Sequence, residues 1–262
     1  RISWPNPEEY QTMTQPRFWR RAIQSWWLRS LILVGALGAV IIPQSGSAPL
    51  PDFSQYQDVR QKKTAFFDYM LPLVTESNRQ TLEQRAELEL LAGKAELSAA
   101  ERKKLSRFAS EYGLKPDAEN TQLLENLLLR VDKIPASLAL SQAAIESAWG
   151  TSRFAVQGNN LFGQWCYKKG CGLVPLRRNA GSNHEVAKFA SVANAVNAYM
   201  RNINSHRAYS DLRASRAQLR ESQQQVTGHL LAENLLHYSE LREVYVHEVQ
   251  AVIRINKLGQ YD

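Results

Sequence analysis

Pro135-Ala-Ser-Leu-Ala-Leu-Ser-Gln-Ala-Ala-Ile-Glu-Ser-Ala-Trp-Gly150 is the stretch on which the reading of this chain turns. Pro135 needs no amide partner and is placed to open a helix. Leu138, Ala139, Gln142, Ile145, Ala148 and Trp149 share one face at helix spacing. Glu146 sits inside that apolar surround, and Gly150 can end the helix. Flanked by Ile145 and Trp149, its carboxylate is partly desolvated, which raises its pKa and suits it to act as an acid. A glutamate on the wet face of an amphipathic helix fits this segment equally well. A short helical turn, Ser152 to Val156, leads to Gly158-Asn-Asn-Leu-Phe-Gly163. Asn159 and Asn160 offer amide donors and acceptors, and Phe162 an apolar plane. Trp149 and Trp165 bracket this loop and are the only tryptophans beyond residue 27. Amides beside aromatic faces suit sugar rings, with hydroxyls to bond and CH faces to stack. The commoner fate of a lone Trp is the core.

Upstream the pattern is helical. Ala65, Phe66, Tyr69 and Met70 predict one helix, closed by Leu73 and Val74, and residues 77–97 predict a second. Ser98-Ala-Ala-Glu101 reads as a capping box opening a third helix, with Leu105, Phe108 and Tyr112 on one face. Leu123, Leu124, Leu127, Leu128 and Val131 make a fourth that stops near Pro135. Downstream, residues 164–190 lose the helical period and read as a small β-hairpin or irregular lobe, with Glu185 its only carboxylate. Val192, Val196, Tyr199, Met200 and Ile203 restore a helix, and residues 215–256 are helical again. The expected fold class is mainly α: a helical domain with a small β-lobe, preceded by a helical N-terminal region.

The chain has 262 residues, 44% of them hydrophobic, enough for a core and for one or two domains. Its net charge of +7 raises nucleic acid, a membrane surface or an acidic polymer as partners. Arg1, Arg17, Arg20, Arg21 and Arg29 against Glu8 and Glu9 place +3 of that in residues 1–30. The uncharged run Leu31–Ile42 follows, with Trp19, Trp26 and Trp27 before it. Basic residues before an apolar run read as an export signal, cleaved or retained as an inner-membrane anchor over residues 26–43. The exported part keeps +4, a modest excess suited to an anionic wall polymer. In an oxidising compartment Cys166 and Cys171 can persist as a disulfide that pins a turn. Their spacing is no redox motif, and two cysteines make a poor metal site. His247-Glu248 lacks the second His of a zinc helix, and no Gly-x-Ser-x-Gly frames a serine nucleophile. His184, His206, His229 and His237 show no ligand spacing and read as surface residues.

Ala144-Ile-Glu-Ser-Ala-Trp-Gly150, Thr151-Ser152 and Gly158-Asn-Asn-Leu-Phe-Gly163 together resemble the signature of the bacterial glucosaminidase family of peptidoglycan hydrolases. Leu50-Pro-Asp-Phe, Arg60-Gln-Lys-Lys, Leu128-Leu-Arg-Val-Asp-Lys-Ile-Pro135, Ala208-Tyr-Ser-Asp-Leu-Arg213 and Ser215-Arg-Ala-Gln-Leu-Arg220 extend the likeness to one bacterial branch, over residues 50–262. The resemblance implies a lysozyme-like fold, and with the patterning above it divides the chain into 1–48 as the topogenic segment, 49–116 as linker and helical lead-in, and 117–262 as the glucosaminidase domain. It implies cleavage of the β-1,4 bond after N-acetylglucosamine in peptidoglycan, without cofactor or metal. Glu146 matches the family's catalytic acid, Tyr209 a tyrosine lining the active site, and Asn160 and Phe162 its substrate-cleft motif. Asn159, Trp149 and Trp165 join them as expected substrate contacts. Glu185 is the candidate second carboxylate. With it the reaction is inverting, the two carboxyls roughly 6.5–9.5 Å apart; without it, the substrate's own acetamido group attacks. The alternatives are a lytic transglycosylase and a noncatalytic peptidoglycan-binding protein. A periplasmic monomer that meets peptidoglycan and no nucleic acid is expected.

Overall fold

The computed structural model describes residues 48–176, 184–235 and 243–262. The expected topogenic run, including residues 26–43, and His237 lie outside them. Among the described residues no helix is long and apolar enough to cross a membrane.

Helix α1 (Val59–Ala92) is capped by Asp58, whose side chain accepts from the Gln61 amide. Two helices were expected here, over 65–74 and 77–97. One continuous helix forms instead: its buried face runs on from Val74 through Ser77 and Thr81 to Leu88, and Pro72 falls on the exposed side. The hydrogen bond Pro72 forfeits would have used the carbonyl of Asp68, a residue on the exposed side, so no core group is left without its partner. The helix serves two cores. Phe66, Phe67, Met70 and Val74 enter the larger core, with Ile134, Leu138 and Leu140. Leu88 and Leu91 enter the smaller one with helices α2 (Ala99–Glu111) and α3 (Asn120–Arg130). The Ser98–Glu101 capping box is present at the start of α2.

Helix α4 (Ala136–Glu146) follows Pro135, which offers no side-chain cap. Asp262 supplies one from 125 residues away, accepting from the Ser137 amide at 2.8 Å and its hydroxyl at 2.7 Å. The same carboxylate takes the Gly228 amide at 2.9 Å and so holds helix α8 (Gly228–Leu231). A carboxylate at the positive end of a helix is electrostatically favourable as well as hydrogen-bonded.

Helix α5 (Arg153–Gly158), capped by Ser152, leads into a three-stranded antiparallel sheet of order β1-β3-β2. The strands are β1 (Trp165–Cys166), β2 (Gly172–Leu173) and β3 (Glu185–Ala187). A Cβ on Gly172 would lie 2.0 Å from the Val186 carbonyl oxygen, so only glycine lets β2 reach β3. The expected lobe is present, with a third strand added to the hairpin. Helices α6 (Val192–Ser205), α7 (Ser210–Glu221) and α9 (Glu243–Ile255) complete the described chain.

Helix α7 is tied down by arginines. Arg216 is 1% exposed and donates to the Leu129, Arg130, Asp132 and Lys133 carbonyls and to the Asn204 side chain. Arg213 donates to the Ile203 and His206 carbonyls at the end of α6. Arg220 closes a bidentate pair with Asp132. The guanidiniums meet the negative ends of α3 and α6, which offsets part of their desolvation. Burial still pulls both Arg213 and Arg216 down to about 10.

Candidate active site

Every residue of α4 from Ala136 to Ala144 is buried. Exposure begins only on its last turn, so the helix carries Glu146 out of the core to a partly exposed position. The chain then turns in left-handed backbone. Ser147 Oγ donates to the Ala143 carbonyl at 2.6 Å and accepts from the Gly150 amide at 2.8 Å. Ala148, Trp149 and Gly150 have φ of 50°, 60° and 78°. Left-handed backbone at two non-glycine residues stores strain of roughly 1–3 kcal/mol each. Gly150 is obligatory, since a Cβ there would lie 2.4 Å from Phe53 Cδ2. A Cβ on Gly163 would lie 3.4 Å from Glu146 Oε2. The asparagine loop therefore ends alongside the carboxyl.

Burial raises the pKa of Glu146 and is the largest influence on it. The Tyr245 hydroxyl, hydrogen-bonded to the carboxylate, pulls in the opposite direction. The negative charge of Glu248, one turn further along α9, pushes it up again. Tyr209 is buried and lies within the field of Glu146; burial first, and that charge second, raise its phenol well above the ordinary value. Asn202 is its hydrogen-bonding partner. The structure thus gathers Glu146, Tyr209, Tyr245 and Gly163 into one place.

Other expected contacts have different tasks. Asn160 is buried, its Nδ2 donating to the Gln164 and Ala187 carbonyls and its Oδ1 accepting from the Phe162 and Gln164 amides. Phe162 is buried in a stack on Tyr199, with ring centroids 4.0 Å apart. Both pack into the loop from inside and shape it. Asn159 takes the left-handed C-cap of α5 and donates to the Phe189 carbonyl. Trp149 is half-buried, its edges against Phe66 and Phe67 and Lys63 over its face. Trp165 is 58% exposed and stacks flat on His184 at 4.2 Å, which makes it an open aromatic platform on the lobe, next to the exposed Tyr167. His184, partly exposed, forms the other side of that stack.

Cys166 and Cys171 are disulfide-bonded, as the export reading expects. Glu185 is 5% exposed and accepts from the Gly170 amide at 2.9 Å and the Gly172 amide at 2.8 Å, one on each oxygen. It clasps the disulfide loop to β3. Cys166, Cys171 and Glu185 also bring three ligand-type atoms within 4.8 Å of one another, but the sulfurs are bonded to each other and the carboxylate is engaged.

The sequence reading missed Tyr245 and the work of Gln142 and Tyr199. Gln142 Nε2 donates to the Tyr245 hydroxyl at 3.0 Å, and the Tyr199 hydroxyl donates to Gln142 Oε1 at 2.6 Å. The available signal was a glutamine on the apolar face of α4.

No solved structure gives a significant match to this chain. Protein bax of Escherichia coli (strain K12) is 36% identical over 212 residues, covering 80% of this chain and 76% of that protein. The glucosaminidase family profile, described as mannosyl-glycoprotein endo-β-N-acetylglucosaminidase, matches residues 125–258 and so takes in the whole site from α4 to α9. With an acid-bearing helix end, its loop and that match in agreement, the chain belongs to the glucosaminidase family of glycoside hydrolases.

Proposed function

We propose that the protein hydrolyses the β-1,4 bond after N-acetylglucosamine in peptidoglycan, with Glu146 as the general acid. The observation that carries this is a partly exposed carboxyl at a helix end, its pKa raised by burial, beside the glycine that closes the asparagine loop, in a glucosaminidase. Glu146 gives its proton to the glycosidic oxygen as the C1–O bond breaks. The commitment of both Glu185 oxygens to backbone amides favours the substrate-assisted route. In that route the acetamido carbonyl oxygen attacks C1 and forms a cyclic oxazolinium. Water then opens this ring at C1 and returns a proton to Glu146. Tyr209 supports the charged ring, and the exposed Trp165 stacks on a sugar beyond the reacting bond. The protein works outside the cytoplasm, exported or anchored through the basic, apolar segment at its start. Glu146→Gln tests the assignment. Loss of sacculus lysis in a folded variant is expected, and retained lysis overturns it.

A further inference from the structure

Gln142 lies one helical turn before Glu146 and is 0% exposed. Two phenols meet across its amide, Tyr199 from α6 and Tyr245 from α9. Tyr199 is 1% exposed and is held by its stack on Phe162, whose ring plane lies 13° from its own. An amide has one donating and one accepting end, so it cannot treat two phenols alike. With Oε1 toward Tyr199, that hydroxyl donates and Nε2 donates to the Tyr245 oxygen. The Tyr245 proton is then left to point at Glu146. With the amide reversed, Tyr245 would donate to Gln142 and nothing would remain for Glu146. Tyr199 would then accept from Nε2, and its own proton would have no partner among the described residues. A buried hydroxyl proton without an acceptor is costly. The observed orientation is therefore the one the core enforces.

We propose that Tyr199 and Gln142 are positioning residues that set the direction of the hydrogen bond Tyr245 donates to Glu146. The proposal rests on Glu146 being the acid. That bond settles on the carboxylate formed as the proton leaves, so it helps release the proton to the glycosidic oxygen. It also fixes which way the carboxyl faces. Neither Gln142 nor Tyr199 touches substrate in this account.

A double-mutant cycle on the full chain tests it, with Tyr199→Phe, Tyr245→Phe and the pair, assayed on purified sacculi alongside Glu146→Gln. Tyr199→Phe is expected to lower kcat about tenfold, the size of one charge-assisted hydrogen bond, with KM unchanged. The alkaline limb of its pH profile should move to higher pH, because Glu146 loses the bond that opposes burial. The double variant should equal Tyr245→Phe alone. Should Tyr199→Phe fail to fold, Gln142→Asn takes its place, since it keeps the amide but withdraws it from both phenols; the same loss and the same limb shift are expected. A normal kcat with an unmoved limb, or effects that multiply in the double variant, overturns the proposal. Glu146→Gln that still lyses sacculi means the acid assignment has failed instead.

Discussion

Glu185→Gln separates a structural clasp from a catalytic base. Its carboxylate receives one backbone amide on each oxygen, at 2.9 and 2.8 Å, in a site 5% exposed. Glutamine keeps one acceptor and sets an NH2 group against the other amide. One hydrogen bond to a charged group is lost, and an amide is left unsatisfied, for about 2 kcal/mol. In a domain of this size that lowers Tm by about 4–8 °C. The disulfide still closes the loop from Cys166 to Cys171, so the strands should keep their register. Calorimetry gives the stability, and turbidity clearing of sacculi well below Tm gives the rate. The clasp predicts a lower Tm and a rate within about threefold of wild type, whereas losing a general base would slow the reaction by roughly 10²–10⁴. An unchanged Tm with a rate loss beyond a hundredfold would refute the reasoning and restore Glu185 as the base.

Gly150→Ala adds a Cβ 2.4 Å from Phe53 Cδ2 at a φ of 78°. A loss of about 3 kcal/mol or more in urea melts is expected, and a neutral result would mean the turn is not held as described. Glu146→Gln should be more stable than wild type at neutral pH, because burial raises the Glu146 pKa. The folded state then binds the extra proton, so wild-type stability falls as pH rises from the ordinary carboxylate value through the raised one. The two proteins should converge in acid, and a constant Tm difference across pH would contradict this. Trp165→Ala should raise KM for long glycan strands by about 5–150-fold while leaving Tm unchanged, in keeping with the stacked face it offers. An unaltered KM removes Trp165 from the binding surface.

The acid-bearing helix, the disulfide, the capping box at Ser98 and the small lobe were all legible in the chain. The first three depend on neighbours a few residues apart; the lobe showed only as a lost helical period, since its sheet pairs residues as distant as Trp165 and Val186. Asn160 and Phe162 were recognisable as a motif but not as buried, because residue type does not say which way a loop side chain turns. Both face inward because the loop needs its amides paired and its aromatic ring covered. The Tyr245–Gln142 contact joins residues 103 apart, and the Tyr199–Gln142 contact residues 57 apart. No local period encodes such pairs. The joining of the two expected segments into α1 escaped because Ser77 and Thr81, not apolar residues, carry the buried face between Val74 and Leu88.

Product analysis of purified sacculi, digested by wild type and by Glu146→Gln, bears most directly on Glu146 as the acid of a glucosaminidase. Wild type should release fragments ending in a reducing N-acetylglucosamine, and Glu146→Gln, folded by circular dichroism, should release none. Anhydro-sugar ends from wild type, or the same fragments from Glu146→Gln, would contradict the account.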